Sequence, residues 1–180
     1  MTQENDVKIP VRVVISTVHI DTSVNDMLGT VLFCALERFE GGETIDALTE
    51  LLDDNVDQFE MNVDGVLTRG ENQIEIEYAE TALTGMEGCH TKLSFHLDDR
   101  NFITMQRIGP MHHMLIFEAG KQYTCYYQTE YLQTEVMVMT KKIKNDLTET
   151  GGDLFIDYIV SLKNSPPRRT KLRIRAFSTI

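Results

Sequence analysis

The sequence predicts a mainly β protein: an antiparallel meander of about eight to ten strands closed into a barrel, with a short helical insertion near the N-terminus. Three observations predict it. From residue 58 onward apolar and polar side chains alternate with period two, which marks strands buried on one face only. Short turn signals separate the alternating runs: "TRGEN", "LDDRN", "EAGKQ", "ETGGD" and "NSPPRR" supply Gly, Asn, Asp or Pro where the chain must reverse. Strands joined at such close spacing form a meander, and a long meander avoids open edges best by closing on itself.

Taken in order, "KIPVRVVISTVHI" reads as a first strand over 8–20. Residues 21–57 then break the rhythm. Met27, Leu28, Val31, Leu32, Ala35, Leu36 and Phe39 recur at helical spacing, with Ser23 or Asn25 able to cap the start and Gly41 the end. "TIDALTELLDDN" reads as a second short helix, with Thr44 as N-cap and Ile45, Leu48, Leu51 and Leu52 on one face. This acidic insertion is expected to cover one barrel end or form an interface; a strand over 30–36 is the alternative. Nine strands follow, at 58–69, 73–80, 90–98, 101–108, 111–118, 121–129, 133–145, 152–163 and 168–177. Their inward faces are legible. Ile74, Ile76 and Tyr78 oppose Glu75 and Glu77; Leu93, Phe95 and Leu97 oppose Lys92, Ser94 and His96. Leu154, Ile156, Tyr158, Val160 and Leu162 share a face, and Leu172, Ile174 and Ala176 oppose Lys171, Arg173 and Arg175. One domain of 180 residues accommodates all of this.

Composition narrows the function. No apolar run approaches the roughly 20 residues of a membrane helix, and "MTQENDVKIP" has neither the basic nor the apolar region of a signal peptide. Cys34, Cys89 and Cys125 are odd in number and far apart, which fits a reducing cytoplasm and no disulfide framework. The net charge is −11, and residues 1–60 alone carry thirteen acidic against three basic side chains. Nucleic-acid binding is therefore disfavoured, since phosphate contacts dominate its affinity. Only the tail Arg168, Arg169, Lys171, Arg173 and Arg175 could support it.

Particular residues add a resemblance. The Thr84-Gly85 turn with Gly88, Arg107-x-Gly109, Phe117-Glu118 before Gly120-Lys121, Tyr126-Tyr127 with Thr129 and Tyr131, Thr140, and Gly151-Gly152 resemble the YwiB-like family of small bacterial proteins. The resemblance spans about 58–176 and the first strand. It implies a calycin-type, lipocalin-like barrel and no established function. The chain departs from the pattern at Leu132, where the family tends to glycine, and at Met114, where it tends to arginine.

Catalytic and metal chemistry find little footing. His112 and His113 are adjacent and so point to opposite faces of a strand; His90 and His96 share a face but lie about 20 Å apart. Neither offers zinc-ligand spacing. There is no Gly-x-Ser-x-Gly elbow and no activated cysteine; Cys125 reads as a small buried hydrophobe. Glu75, Glu77, Glu118, Glu130 and Glu135 fall mostly on polar faces. No metal and no cofactor are expected, and no enzyme class is recognised. What remains is the barrel interior or its mouth. Ile103, Met105 and Arg107 share a face, and a buried guanidinium needs a carboxylate of the protein or an anionic ligand. Tyr126 or Tyr127 should point inward beside it, with Met105, Met111, Met114, Met137 and Met139 as an adaptable lining. The candidate ligand residues are accordingly Arg107, His113, Tyr126, Tyr127, Thr129 and Tyr131. The leading expectation is a non-enzymatic cytoplasmic barrel that binds a small amphipathic or anionic ligand or a protein partner. An oligomerisation module acting through 21–57 and an enzyme of unrecognised class are the alternatives.

Overall fold

The computed structural model describes residues 6–21, 56–129, 133–163 and 165–179. They form ten strands: β1 (Val7–Asp21), β2 (Val56–Arg69), β3 (Gln73–Ala79), β4 (His90–His96), β5 (Phe102–Ile108), β6 (Met111–Glu118), β7 (Gln122–Thr129), β8 (Gln133–Asn145), β9 (Gly151–Leu162) and β10 (Arg168–Ser178). Each pairs antiparallel with its neighbour in sequence, and β1 closes on β10, so the barrel has no free edge. The period-two reading thus holds strand by strand, to within two residues at each end. The insertion expected over 21–57 lies, but for its end residues, outside the described residues. Among those residues no helix is long and apolar enough to cross a membrane.

The two barrel ends differ. At one, β2–β3, β4–β5, β6–β7 and β8–β9 turn back through short connections, and the interior beneath them is apolar. Leu67, Ile74, Leu93, Phe95, Ile103, Phe117, Leu147, Leu154, Ile156 and Ile174 are fully buried there and along the axis. Arg100 seals this end: its guanidinium donates to the carbonyls of Leu147 and Asn145 and lies 5.6 Å from the Phe95 ring centroid. An arginine so placed satisfies carbonyls freed at the hairpin and covers the aromatic face below.

At the opposite end β1 finishes and β2 begins, and the chain leaves the barrel at Asp21 to re-enter at Val56. Here the β5–β6 link is only two residues long. Gly109 carries it with φ 149°, and a Cβ at that position would lie 2.7 Å from the Gly88 carbonyl oxygen and 2.8 Å from the Cys89 Cα. Only glycine permits both the backbone angle and the approach. This turn delivers the last residues of β5 to the polar end of the barrel.

Two expectations about the outer face need correction. Met114, Met137 and Met139 do not line the interior: they are 47%, 45% and 37% exposed, on the outward parity of β6 and β8. They were assigned by residue type, whereas Leu115, Val136 and Val138 occupy the inward positions beside them. Conversely Arg169 and Lys171, on the outward parity of β10, are buried together with Val18, Ile20 and Asp157. Alternation reports the direction of a side chain, not what lies over it.

Candidate functional site

One row of cross-strand neighbours crosses six strands close to the polar end. Tyr78 is paired with Thr91, Thr91 with Arg107, Arg107 with His113, His113 with Tyr127, and Tyr127 with Thr134. Adjacent members of such a row have Cβ atoms about 5 Å apart and share a face, so Arg107 stands between Thr91 and His113 inside the barrel. Glu80 follows Tyr78 by two residues and so keeps its inward direction. Arg107 Nε donates to Glu80 Oε1 at 2.9 Å and to the Thr91 hydroxyl oxygen at 3.0 Å. The Thr91 hydroxyl in turn donates to the same Glu80 oxygen. The Glu80 side chain is 0% exposed and that of Arg107 17%. The arginine is therefore neutralised internally, one of the two outcomes its burial allowed.

The electrostatics follow from this pair. Arg107 Nη1 lies 3.0 Å from His113 Nε2, and because a guanidinium only donates, Nε2 must accept. The proton of the neutral ring then sits on Nδ1, which is buried and has no hydrogen-bond partner among the described residues. Burial, with the Arg107 charge beside it, pushes the His113 pKa down to about 4. The ring stacks on Tyr127 with centroids 5.3 Å apart, and the Tyr127 hydroxyl donates to Met111 Sδ at 2.7 Å. Across the barrel, His19 Nδ1 is 2.9 Å from the Thr170 hydroxyl, which also bonds Tyr158. Burial, then Arg168, lowers the His19 pKa, with Arg107 adding to the effect. The Tyr78 and Tyr158 phenols are pushed up by burial, Tyr78 also by Glu80, while Arg107 opposes both shifts.

The His113 shift has a stability consequence. A histidine whose folded pKa is depressed contributes stability that is complete above its unfolded value of 6.5 and is lost as pH falls toward about 4. Urea unfolding from pH 7 to 4 should show the wild type losing up to about 3 kcal/mol more than His113→Gln over that window. Gln can still accept from Arg107 but has no proton to gain. Parallel pH slopes for the two proteins would show that the ring is not held neutral.

Of the six residues expected in the site, the structure brings together Arg107, His113 and Tyr127. Tyr126 is corrected: it is 56% exposed and points outward, because its neighbour Tyr127 takes the inward position opposite His113. The Thr129 side chain and Tyr131 lie outside what is described. Sequence reasoning missed Glu80, Thr91, His19 and Thr170. For three of them the signal was present, each lying two residues from an inward apolar or aromatic residue: Glu80 from Tyr78, Thr91 from Leu93, Thr170 from Leu172. Carrying the alternation past the apolar members would have found three of the four.

Comparison with known proteins places the chain. The family model described as a domain of unknown function, DUF1934, matches residues 45–174. The chain belongs to that family. Among solved structures it is similar to the crystal structure of ywiB protein from Bacillus subtilis, with a TM-score of 0.68 at 16% identity, covering 96% of this chain and 94% of that one. The YwiB-like resemblance and the barrel it implied therefore stand. No curated protein matches the chain.

Proposed function

We propose that this barrel is a non-enzymatic binding protein for a small amphipathic ligand, whose polar head is held at Arg107 and whose apolar part faces the barrel mouth. One observation carries the reading. Arg107 is held inside the barrel while its Nη2, and the buried Nδ1–H of its neighbour His113, have no hydrogen-bond partner among the described residues. A buried donor left unpaired, as His113 Nδ1–H is among the described residues, costs about 1–3 kcal/mol, and a bound acceptor recovers that cost. A carrier or receptor needs such donors and no nucleophile. Phe59, Tyr127 and Met111 supply apolar surface around the row, and tyrosine and methionine adapt readily to an irregular ligand. Nucleic acid does not fit this role: Arg169, Arg173 and Arg175 are engaged with Asp157, Asp153 and Glu60. The free thiols of Cys89 and Cys125 suit a reducing compartment such as the cytoplasm.

The test is a thermal-shift panel of six- to ten-carbon amphiphiles bearing carboxylate, carboxamide, alcohol or phosphate heads. A ligand at a hundredfold excess over its Kd adds about 2.7 kcal/mol, a rise of roughly 5–10 °C for a chain of this size. At least one head-group series should raise the Tm of the wild type and fail to do so for Arg107→Lys, which keeps the charge beside Glu80 but lacks Nη2. A panel without effect, or equal responses in both proteins, overturns the reading.

A further inference from the structure

Among the described residues, two buried arginine–carboxylate pairs differ in geometry. Asp157 engages Arg169 with both oxygens, at 2.8 Å from Nε and 2.6 Å from Nη2. Glu80 engages Arg107 with one: Oε1 takes Nε at 2.9 Å, and Oε2 is buried with no hydrogen-bond partner among the described residues. Nε and Nη2 form one edge of the planar guanidinium, so the second half of the fork is left unmade. The pair thus leaves a donor on that edge, Arg107 Nη2–H, and an acceptor of the same carboxylate, Glu80 Oε2, without hydrogen bonds to the described residues. The His113 Nδ1–H, carried by the ring that Nη1 binds, is a second donor, buried and without a partner among the described residues.

From this half-made fork we infer that the ligand head is a neutral group presenting an acceptor and a donor side by side, a primary carboxamide or a lactam, rather than an anion. The inference rests on the binding reading above and deepens it. The carbonyl oxygen of such a head would accept from Arg107 Nη2, and its N–H would donate to Glu80 Oε2, completing what Asp157 completes directly in the other pair. An anion would meet a guanidinium whose charge Glu80 already offsets, and the Glu80 carboxylate beside it would repel it. Burying a further negative charge there lacks a compensating partner. The fit is with a head of a few atoms close to the rim, because Met105, Leu115, Phe117 and Tyr158 fill the interior below the row.

Hexanamide and hexanoate differ at the head alone, and their binding can be measured by titration calorimetry at pH 7.5. The wild type should bind the amide at least tenfold more tightly than the carboxylate. Glu80→Gln, which leaves the Arg107 charge uncompensated, should reverse the order, and Arg107→Lys should weaken the amide at least tenfold. Equal or tighter binding of hexanoate by the wild type overturns the head-group inference while leaving the binding reading intact. Absence of binding for both compounds, together with a silent thermal-shift panel, overturns both. An order unaltered in Glu80→Gln also counts against the inference, since the preference would then not come from the half-made fork.

Discussion

Replacing Arg107 by methionine is expected to destabilise the protein by about 3–5 kcal/mol, and replacing Glu80 by methionine as well should restore most of that loss. The reason lies in the burial of the partner. Glu80 has a fully buried side chain, and its carboxylate is compensated by the guanidinium and the Thr91 hydroxyl alone among the described residues. Removing the cation strands a charge where water does not reach it, which costs more than the pair contributes. Removing both charges strands nothing, and two methionines roughly fill the volume of an arginine and a glutamate. Urea unfolding of the wild type, both single variants and the double variant closes a thermodynamic cycle. A coupling energy below about 1 kcal/mol would mean that the pair is solvated, and the site would lose its electrostatic frame.

Truncating Phe117 to alanine should cost a similar amount, about 3–5 kcal/mol, for a different reason. Phe117 is 0% exposed, and its ring centroid lies 4.8 Å from that of Tyr158 across the barrel. A barrel interior has no free face into which neighbours can relax, so the cavity persists. Met114→Ala on the same strand should stay within about 0.5 kcal/mol, because that side chain points into solvent. Both changes delete a large apolar side chain from β6, so only direction separates them. Equal losses measured by urea unfolding would contradict the inward and outward assignment of this strand, and with it the removal of Tyr126 and Met114 from the site.

The strands were legible because alternation and turn residues act locally. "QIEIEYAE" can bury one face only as a strand, and "EAGKQ" can do little but reverse the chain. His112 and His113 were separated correctly on that ground alone: His113 is buried and His112 exposed. The site was legible in half. Arg107 was singled out because it extends the apolar face of Ile103 and Met105, and the requirement for a neutralising group followed. Which group answers it was not, since Glu75, Glu77, Glu118 and Glu135 were equally available by composition. Tyr126 against Tyr127 was likewise undecided, because adjacent tyrosines satisfy either parity and only the pairing of Tyr127 with His113 breaks the tie.

The amino-acid order by itself determined that the described chain is a closed antiparallel ribbon and, where apolar and polar residues alternate cleanly, which face enters it, because period two ties direction to position and a meander without edges must close. The tertiary structure alone decided which of those side chains meet. Glu80 and Arg107 are 27 residues apart and belong to no common motif. They touch because β3, β4 and β5 stack in register, which puts Tyr78, Thr91 and Arg107 in one row and leaves Glu80 just beyond it. Register is a sum over many ladder bonds and packed pairs spread across the sheet. No single stretch of sequence contains it, and so the arginine was readable in advance while its carboxylate was not.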